Sequence, residues 1–283
     1  MILDNKIYAT DLSDLAICPR LFFMKKMKMV PRKETFAMLR GTIEHEVRRT
    51  TTTSLKAEYQ CCDSINNLEK IDYSIAVDNA ITYGLDLGRA INSKYWLGLD
   101  EMLPTLRYRL LEEEKERLNL AIKLAAKGFS MKEILETLLP WRLEHGVGST
   151  MLGVTGRVDQ IYKLDNKLVP LDFKTHIKRF DAYLLKPAFF EQLAVYGLLL
   201  ERKYPGYKVN YGIIEFTEDL KKEKLRITKK DKDNVIEHIK EAREILSTGL
   251  LPPKLSGDKA ITCHGCFCKD FCFSLNPGGI EKC

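Results

Sequence analysis

Asp172 and Lys174, in the segment LDFKT, are the residues whose types and spacing point most directly to chemistry. In an extended segment alternate side chains share a face, so this carboxylate and ammonium point together, while Val169, Leu171 and Phe173 point the other way, into a core. Upstream, GVTGRVDQIYK carries Asp159 on the same face as Arg157 and Ile161, and Leu164, Asp165 and Asn166 separate the two segments. The pattern reads as a β-hairpin in which antiparallel pairing brings Asp159 beside Asp172. Two carboxylates so placed repel unless a cation lies between them. Carboxylate, carbonyl and water oxygens suit Mg2+ or Mn2+, and such a site serves phosphodiester hydrolysis. The ion neutralises the scissile phosphate and acidifies a water, and Lys174 orients that water or stabilises developing charge. A surface ion pair on an edge strand would show the same triplet.

Cysteine is the second chemical signal. Cys263, Cys266 and Cys272 follow C-x2-C-x5-C, Cys266, Cys268 and Cys272 also offer C-x-C-x3-C, and Cys18 supplies a further thiolate far upstream. Four thiolates suit zinc or an iron-sulfur cluster, and spacing leaves both open. Cys268 reads as a spare thiol, and Cys61, Cys62 and Cys283 as unligated. A metal shared by Cys18 and the Pro-, Gly- and Cys-rich stretch from Gly249 would close a very long loop and order a segment too polar to fold alone. Otherwise Cys18 is a small buried residue before Pro19.

These groups need elements to hold them. Residues 11–55 read as helices, with GTIEHEVRR entering a helix at Gly41; 75–139 also read as helical, with one helix ending at Gly128 and a capping box from Ser130 to Glu133 starting the next before Pro140. From Met151 the period becomes two. After the hairpin come a helix, PAFFEQLAVYGLLLERK, apolar on most sides, then strand YKVNYGIIEF, a turn at Thr217–Asp219, strand EKLRIT and a helix around DKDNVIEHIKEAREIL. The order β-β-α-β-β-α predicts an α/β core with helices packed on a sheet. On the apolar helix Gln192 and Tyr196 stand at i, i+4 and need polar partners.

At 283 residues, with 45% hydrophobic and 30% charged residues, the chain can bury a large core as one elaborated domain or two tightly joined ones. No apolar run approaches the ~20 residues of a membrane span. MILDNKIYATDL has no apolar stretch behind a basic start, so no secretory signal is expected and the cytoplasm is the expected compartment. The net charge of +6 is uneven: Arg20, Lys25, Lys26, Lys28, Arg32, Lys33 and Arg40 face one acid, Glu34. Such a patch suits nucleic acid, and a solvated helix face would look the same. Arg20, Lys25, Lys26 and Arg157 are the expected DNA contacts. No phosphate-cradling GxxxxGK[ST] loop occurs, so no nucleotide cofactor is expected.

DLAICPRLFF, GTIEHEV, GRVD, LDFKT, EQLAVYGLLL and CHGCFCKDFC, in this order over nearly the whole chain, together resemble the CRISPR-associated iron-sulfur exonuclease family, which is RecB-like and belongs to the PD-(D/E)xK nucleases. The resemblance implies a restriction-endonuclease-like core, a mixed sheet flanked by helices, over 141–248. Around it lie an N-terminal helical segment (1–55), a helical lobe (56–140, where no motif matches) and a Cys-rich cluster-binding cap (249–283). It implies cleavage of single-stranded DNA from an end, 5′ to 3′, and a role in processing new spacers with the CRISPR integrase. By resemblance His45, Asp159, Asp172 and the main-chain carbonyl of Phe173 hold Mg2+ or Mn2+, Lys174 is catalytic, Gln192 and Tyr196 support the site, and Glu144 matches the acid before the GxxD segment. Cys18, Cys263, Cys266 and Cys272 would hold the cluster, 4Fe-4S in preference to 2Fe-2S. One departure is Asp172, where many relatives carry Glu; the shorter arm would move the metal. Two alternatives stand beside this reading: a DNA-binding or scaffolding subunit with a vestigial site, and a general repair nuclease whose cysteines hold zinc.

Overall fold

The structure, a computed structural model, describes residues 6–30, 36–91, 97–175, 179–218 and 221–275. It opens on a two-residue strand β1 (Ile7–Tyr8), then α1 (Ala9–Ile17) and α2 (Pro19–Lys26). Cys18 between them is extended, and Pro19 starts α2 at the position where a missing amide costs nothing. Next come α3 (Phe36–Gln60), α4 (Ile65–Leu68), α5 (Tyr73–Ala90), α6 (Leu97–Ala126) and α7 (Met131–Leu138). The helix expected from Gly41 begins at Phe36, and the expected division at residue 55 falls inside α3. The Ser130–Glu133 capping box forms, with Gly128 left-handed before it. Helices α3, α5 and α6 share an apolar cluster that includes Ile43, Val47, Val77 and Leu103. Gly84 and Gly88, one turn apart on α5, allow the close approach: a Cβ would stand 2.4 Å from Val47 Cγ2 and 2.2 Å from Leu99 Cδ1 respectively.

The sheet follows in β2 (Arg142–Ser149), β3 (Val154–Leu164) and β4 (Lys167–Lys174), then α8 (Arg179–Lys203), β5 (Tyr211–Phe216), β6 (Lys221–Arg226) and α9 (Lys229–Thr248). It is a six-stranded mixed sheet flanked by helices, an α/β arrangement consistent with a restriction-endonuclease-like fold. The hairpin turn is two residues, Asp165 and Asn166, because Leu164 still pairs with Lys167, and Asp165 takes φ 51°. The β5–β6 turn takes in Thr217 and Glu218, while Asp219 lies outside the described residues. Two strands lie outside the expected elements. Arg142–Ser149 is paired along β3, and Ile7–Tyr8 pairs parallel with Val154–Thr155. The face of β4 carrying Val169, Leu171 and Phe173 is buried as expected, and it lines a cavity of about 380 Å³ with side chains of α3 and α6.

The pairing sets where the sheet opens. Strand β2 runs along one edge of β3; on the other, β4 pairs with Gln160–Leu164 and β1 with Val154–Thr155. Residues 156–159 of β3 fall between those two partners. Helix α8 lies against this part of the molecule with Leu193, Ala194, Val195, Leu199 and Leu200 in the main core. Glu191 of α8 accepts from His238 of α9 at 2.8 Å, and that bond holds the imidazole above its ordinary pKa of 6.5. A raised histidine stabilises fully below pH 6.5 and loses that contribution as pH rises through its folded pKa. The unfolding free energy of the native protein, measured by urea denaturation, should therefore fall against that of His238→Gln as pH is raised from 6 to 8, by less than about 1 kcal/mol because the pair is partly solvated.

The last described elements are a 3-10 helix (Gly257–Gly265) and α10 (Lys269–Ser274). Among the described residues no helix is long and apolar enough to cross a membrane.

Candidate active site

Three neighbouring strands bring three carboxylates together. In the β2–β3 register Leu143 pairs with Gln160 and His145 with Val158, which sets Glu144 opposite Asp159. The β3–β4 ladder stops at Gln160–Leu171, one step short of setting Asp159 opposite Asp172. There the Asp159 side chain takes over: its Oδ2 accepts from the amide of Phe173 at 2.7 Å. Residues directly opposite on a sheet share a face, so all three acids look the same way. Helix α3 adds His45, whose Nδ1 lies 3.8 Å from Asp159 Oδ1 and whose ring meets Phe173 edge-on. Ligand atoms of His45, Glu144 and Asp159 all lie within 4.8 Å of one another. Glu144 holds φ 45°, a conformation that costs a non-glycine residue about 1–3 kcal/mol and gathers at functional sites.

Asp172 meets a different set. Its Oδ1 accepts from Gln192 Nε2 at 2.9 Å, and Lys174 Nζ lies 2.5 Å from its Oδ2. Lys174 also donates to Gln192 Oε1 at 2.8 Å, so the carboxamide joins acid and ammonium and fixes both. Gln192 Nε2 reaches Tyr196 OH at 2.8 Å, and that hydroxyl donates to the carbonyl of Arg157 at 2.6 Å, on the stretch of β3 between its two edge partners. The expected polar partners of Gln192 and Tyr196 are thus the two strands themselves. Gly156 lets Tyr196 in: a Cβ there would stand 2.9 Å from its ring.

Burial pushes the Asp159 carboxyl well above the usual range, and the nearby Asp172 carboxylate adds to the shift. Burial also raises Glu144 and lowers His45, leaving the imidazole neutral with a lone pair to offer. Asp172 Oδ2 is buried against the Lys174 ammonium. Crowded carboxylate oxygens and a neutral imidazole are a donor set that fits a hard divalent cation. All of these groups except Glu144 line one cavity of about 520 Å³, with Lys6, Tyr8 and Arg157 at its walls.

A family model described as the PD-(D/E)XK nuclease superfamily matches residues 8–273. The chain belongs to the PD-(D/E)XK nuclease superfamily. Membership suggests a metal-dependent nuclease with DNA as its substrate. No curated protein matches the chain.

The PD-(D/E)XK chain has a second constellation. Cys18, Cys263, Cys266 and Cys272 line one cavity of about 330 Å³. Cys268, expected to be spare, lines it too: it is buried and its sulfur lies 3.3 Å from that of Cys266. Cys61 and Cys62 follow α3 elsewhere, and Cys283 lies outside the described residues. Burial raises the thiol pKa of Cys18 and Cys263 and pushes Cys268 up to about 12.

The expected DNA contacts divide. Arg20 is not available to phosphate: it is 1% exposed and donates to the carbonyls of Pro252, Cys272 and Leu275 and to Cys272 Sγ. A basic run read as a charged surface folds back because an arginine fork can satisfy several carbonyls at once. Lys25 pairs with Asp14, and Lys26 with Asp11 and the carbonyl of Lys6. Arg40 pairs with Glu218, while Arg32, Lys33 and Glu34 lie outside the described residues. Arg157 is 70% exposed and lies 3.6 Å from Glu144.

Arg48 was not anticipated. It stands one turn after His45, lies 5.2 Å from the centre of the Phe173 ring and donates twice to Glu113, at 2.7 and 2.8 Å, so it props the residue between Asp172 and Lys174. The i, i+3 spacing from His45 was its only local signal.

Proposed function

We propose that the protein is a divalent-metal-dependent DNA exonuclease acting on single-stranded ends in the 5′ to 3′ direction. The observation that carries this reading is the buried Asp159–Asp172 pair with Lys174 on the same open cavity. Asp172, Phe173 and Lys174 correspond to the acid-x-lysine of the superfamily's description. Asp159, Asp172 and His45, with Glu144 and the main-chain carbonyl of Phe173, would hold Mg2+ or Mn2+. Bound there, such an ion supplies charge neutralisation at the scissile phosphate and a more acidic water. Lys174, held by Gln192 and Asp172, orients that water or meets the charge developing on the phosphate oxygens. Gln192 and Tyr196 position both groups, and Arg157 meets a flanking phosphate.

Cys18, Cys263, Cys266 and Cys272 hold an iron-sulfur cluster in this reading, 4Fe-4S in preference to 2Fe-2S, and the single cavity that they line supports it. The ordered motifs support a role in preparing DNA for CRISPR spacer acquisition beside the integrase proteins.

The test is digestion of end-labelled single-stranded and duplex DNA with each divalent ion by anaerobically purified protein. Shortening of the single strand from its 5′ end, in Mg2+ or Mn2+ and not in chelator, is the expected result, from a brown protein that contains iron. Absence of cleavage in every metal would sink the nuclease reading; a colourless folded protein with one zinc per chain would sink the cluster alone.

A further inference from the structure

We propose that Tyr8 is a stacking surface for one unpaired nucleobase of the strand being cut, and that this contact makes the site favour single-stranded over duplex DNA. The inference rests on the nuclease reading and adds a base subsite to it. Tyr8 is 41% exposed although its neighbours Ile7 and Ala9 are in the core. Its ring stands on the wall of the cavity that holds Asp159, Asp172 and Lys174. Its backbone is held on both sides: its amide donates to Asp11 Oδ2 at 2.8 Å, and the strand that it ends pairs with Val154–Thr155. A ring carried on a backbone fixed in this way needs no backbone ordering when a base settles on it.

Charge and distance favour the same ligand. Lys26 Nζ lies 5.0 Å and Lys6 Nζ 5.8 Å from the ring centre, so the aromatic sits among ammonium groups, as in surfaces that take single strands. The exposed guanidinium of Arg157 lies on the same cavity, between Tyr8 and the carboxylates. Tyr8 pairs with Thr155, four residues from Asp159, which at the rise of a strand is about 13 Å, so the stacked base flanks the scissile phosphate rather than sitting on it. A paired base is already stacked on its neighbours and cannot use the ring without being unstacked, which gives the strand preference a physical source.

The experiment is a double-mutant cycle between protein and substrate. A single-stranded oligonucleotide is made abasic at one position at a time, and kcat/KM is measured for the native protein, Tyr8→Ala and Tyr8→Trp. At one position near the cut, loss of the base should slow the native protein about 5- to 150-fold, the range that stacking of one base supplies. Tyr8→Ala should cut the intact strand at that reduced rate, lose nothing further on that abasic strand, and show a smaller preference for single strand over duplex; Tyr8→Trp should restore both. An equal loss on the intact and every abasic strand, or no loss at all, overturns the proposal. Hydrolysis of bis(4-nitrophenyl) phosphate by the native protein, which needs no base, reports on the nuclease reading separately. If that activity is absent, the same cycle is read from binding of fluorescein-labelled strands by anisotropy, where additive losses overturn the stacking contact.

Discussion

Asp172→Asn and Lys174→Ala should each lower cleavage of single-stranded DNA by on the order of 10³-fold, and Asp159→Asn should do the same while raising the thermal midpoint of the divalent-free protein. The size follows from removing a group aimed at charge that develops during the reaction, in a site with little water to replace it. The sign of the stability change follows from Asp159. Burial first, and Asp172 second, raise its folded pKa above that of the unfolded chain, so the folded state binds the extra proton. Stability from this group is therefore fully present below the unfolded pKa and lost as pH rises through the folded one, so above that range Asp159 opposes folding. Asparagine keeps an acceptor for the Phe173 amide and removes the charge. Calorimetry without divalent ions should show the rise, and added Mn2+ should raise the midpoint of the native protein but not of the variant. An Asp159→Asn protein that is less stable and still cleaves would remove this acid from the site.

The second large effect is on the fold. Arg20→Met should destabilise the protein by about 3–5 kcal/mol, since three carbonyls lose a charged donor and each such hydrogen bond contributes about 1.5–3 kcal/mol at most. The guanidinium donates to the carbonyls of Pro252, Cys272 and Leu275, and it also reaches Cys272 Sγ. Without it those carbonyls lose their donor beside an apolar patch of Leu21, Met24 and Cys268. Lysine would not substitute, because one ammonium on a flexible stem cannot span the same acceptors as the planar fork. Limited proteolysis should cut Arg20→Met between Gly249 and Ser256 under conditions that leave the native chain whole. If Arg20 met phosphate instead, the variant would stay stable and lose salt-dependent DNA affinity. The burial of this side chain predicts the opposite pattern.

The two effects show how unevenly the molecule was legible. The Ser130–Glu133 capping box, the hairpin around Asp165 and the shared face of Asp172 and Lys174 could be read because each depends on residues a few positions apart. Gln192 and Tyr196 could be flagged because two polar groups on a buried helix require partners, although the partners themselves are on strands. Glu144 could be matched only by resemblance, and it is the pairing of its strand with β3 that sets it opposite Asp159. Arg20 was misplaced because a basic run looks alike whether its arginine reaches solvent or three carbonyls more than 200 positions away.

By itself, then, the sequence determined the local elements and the types of donor they carry: two acids and a lysine on hairpin strands, and cysteines at both ends of the chain. Periodicity and capping act over one or two turns, where side chains meet at low entropic cost. Only the tertiary structure decided that β1 and β4 share one edge of β3, that Glu144 faces Asp159, that Arg20 turns inward and that Tyr8 stands on the cavity wall. Each of these joins segments far apart in the chain, where closing the loop costs entropy that only the packing of the whole core offsets, and no local pattern records which pairing wins.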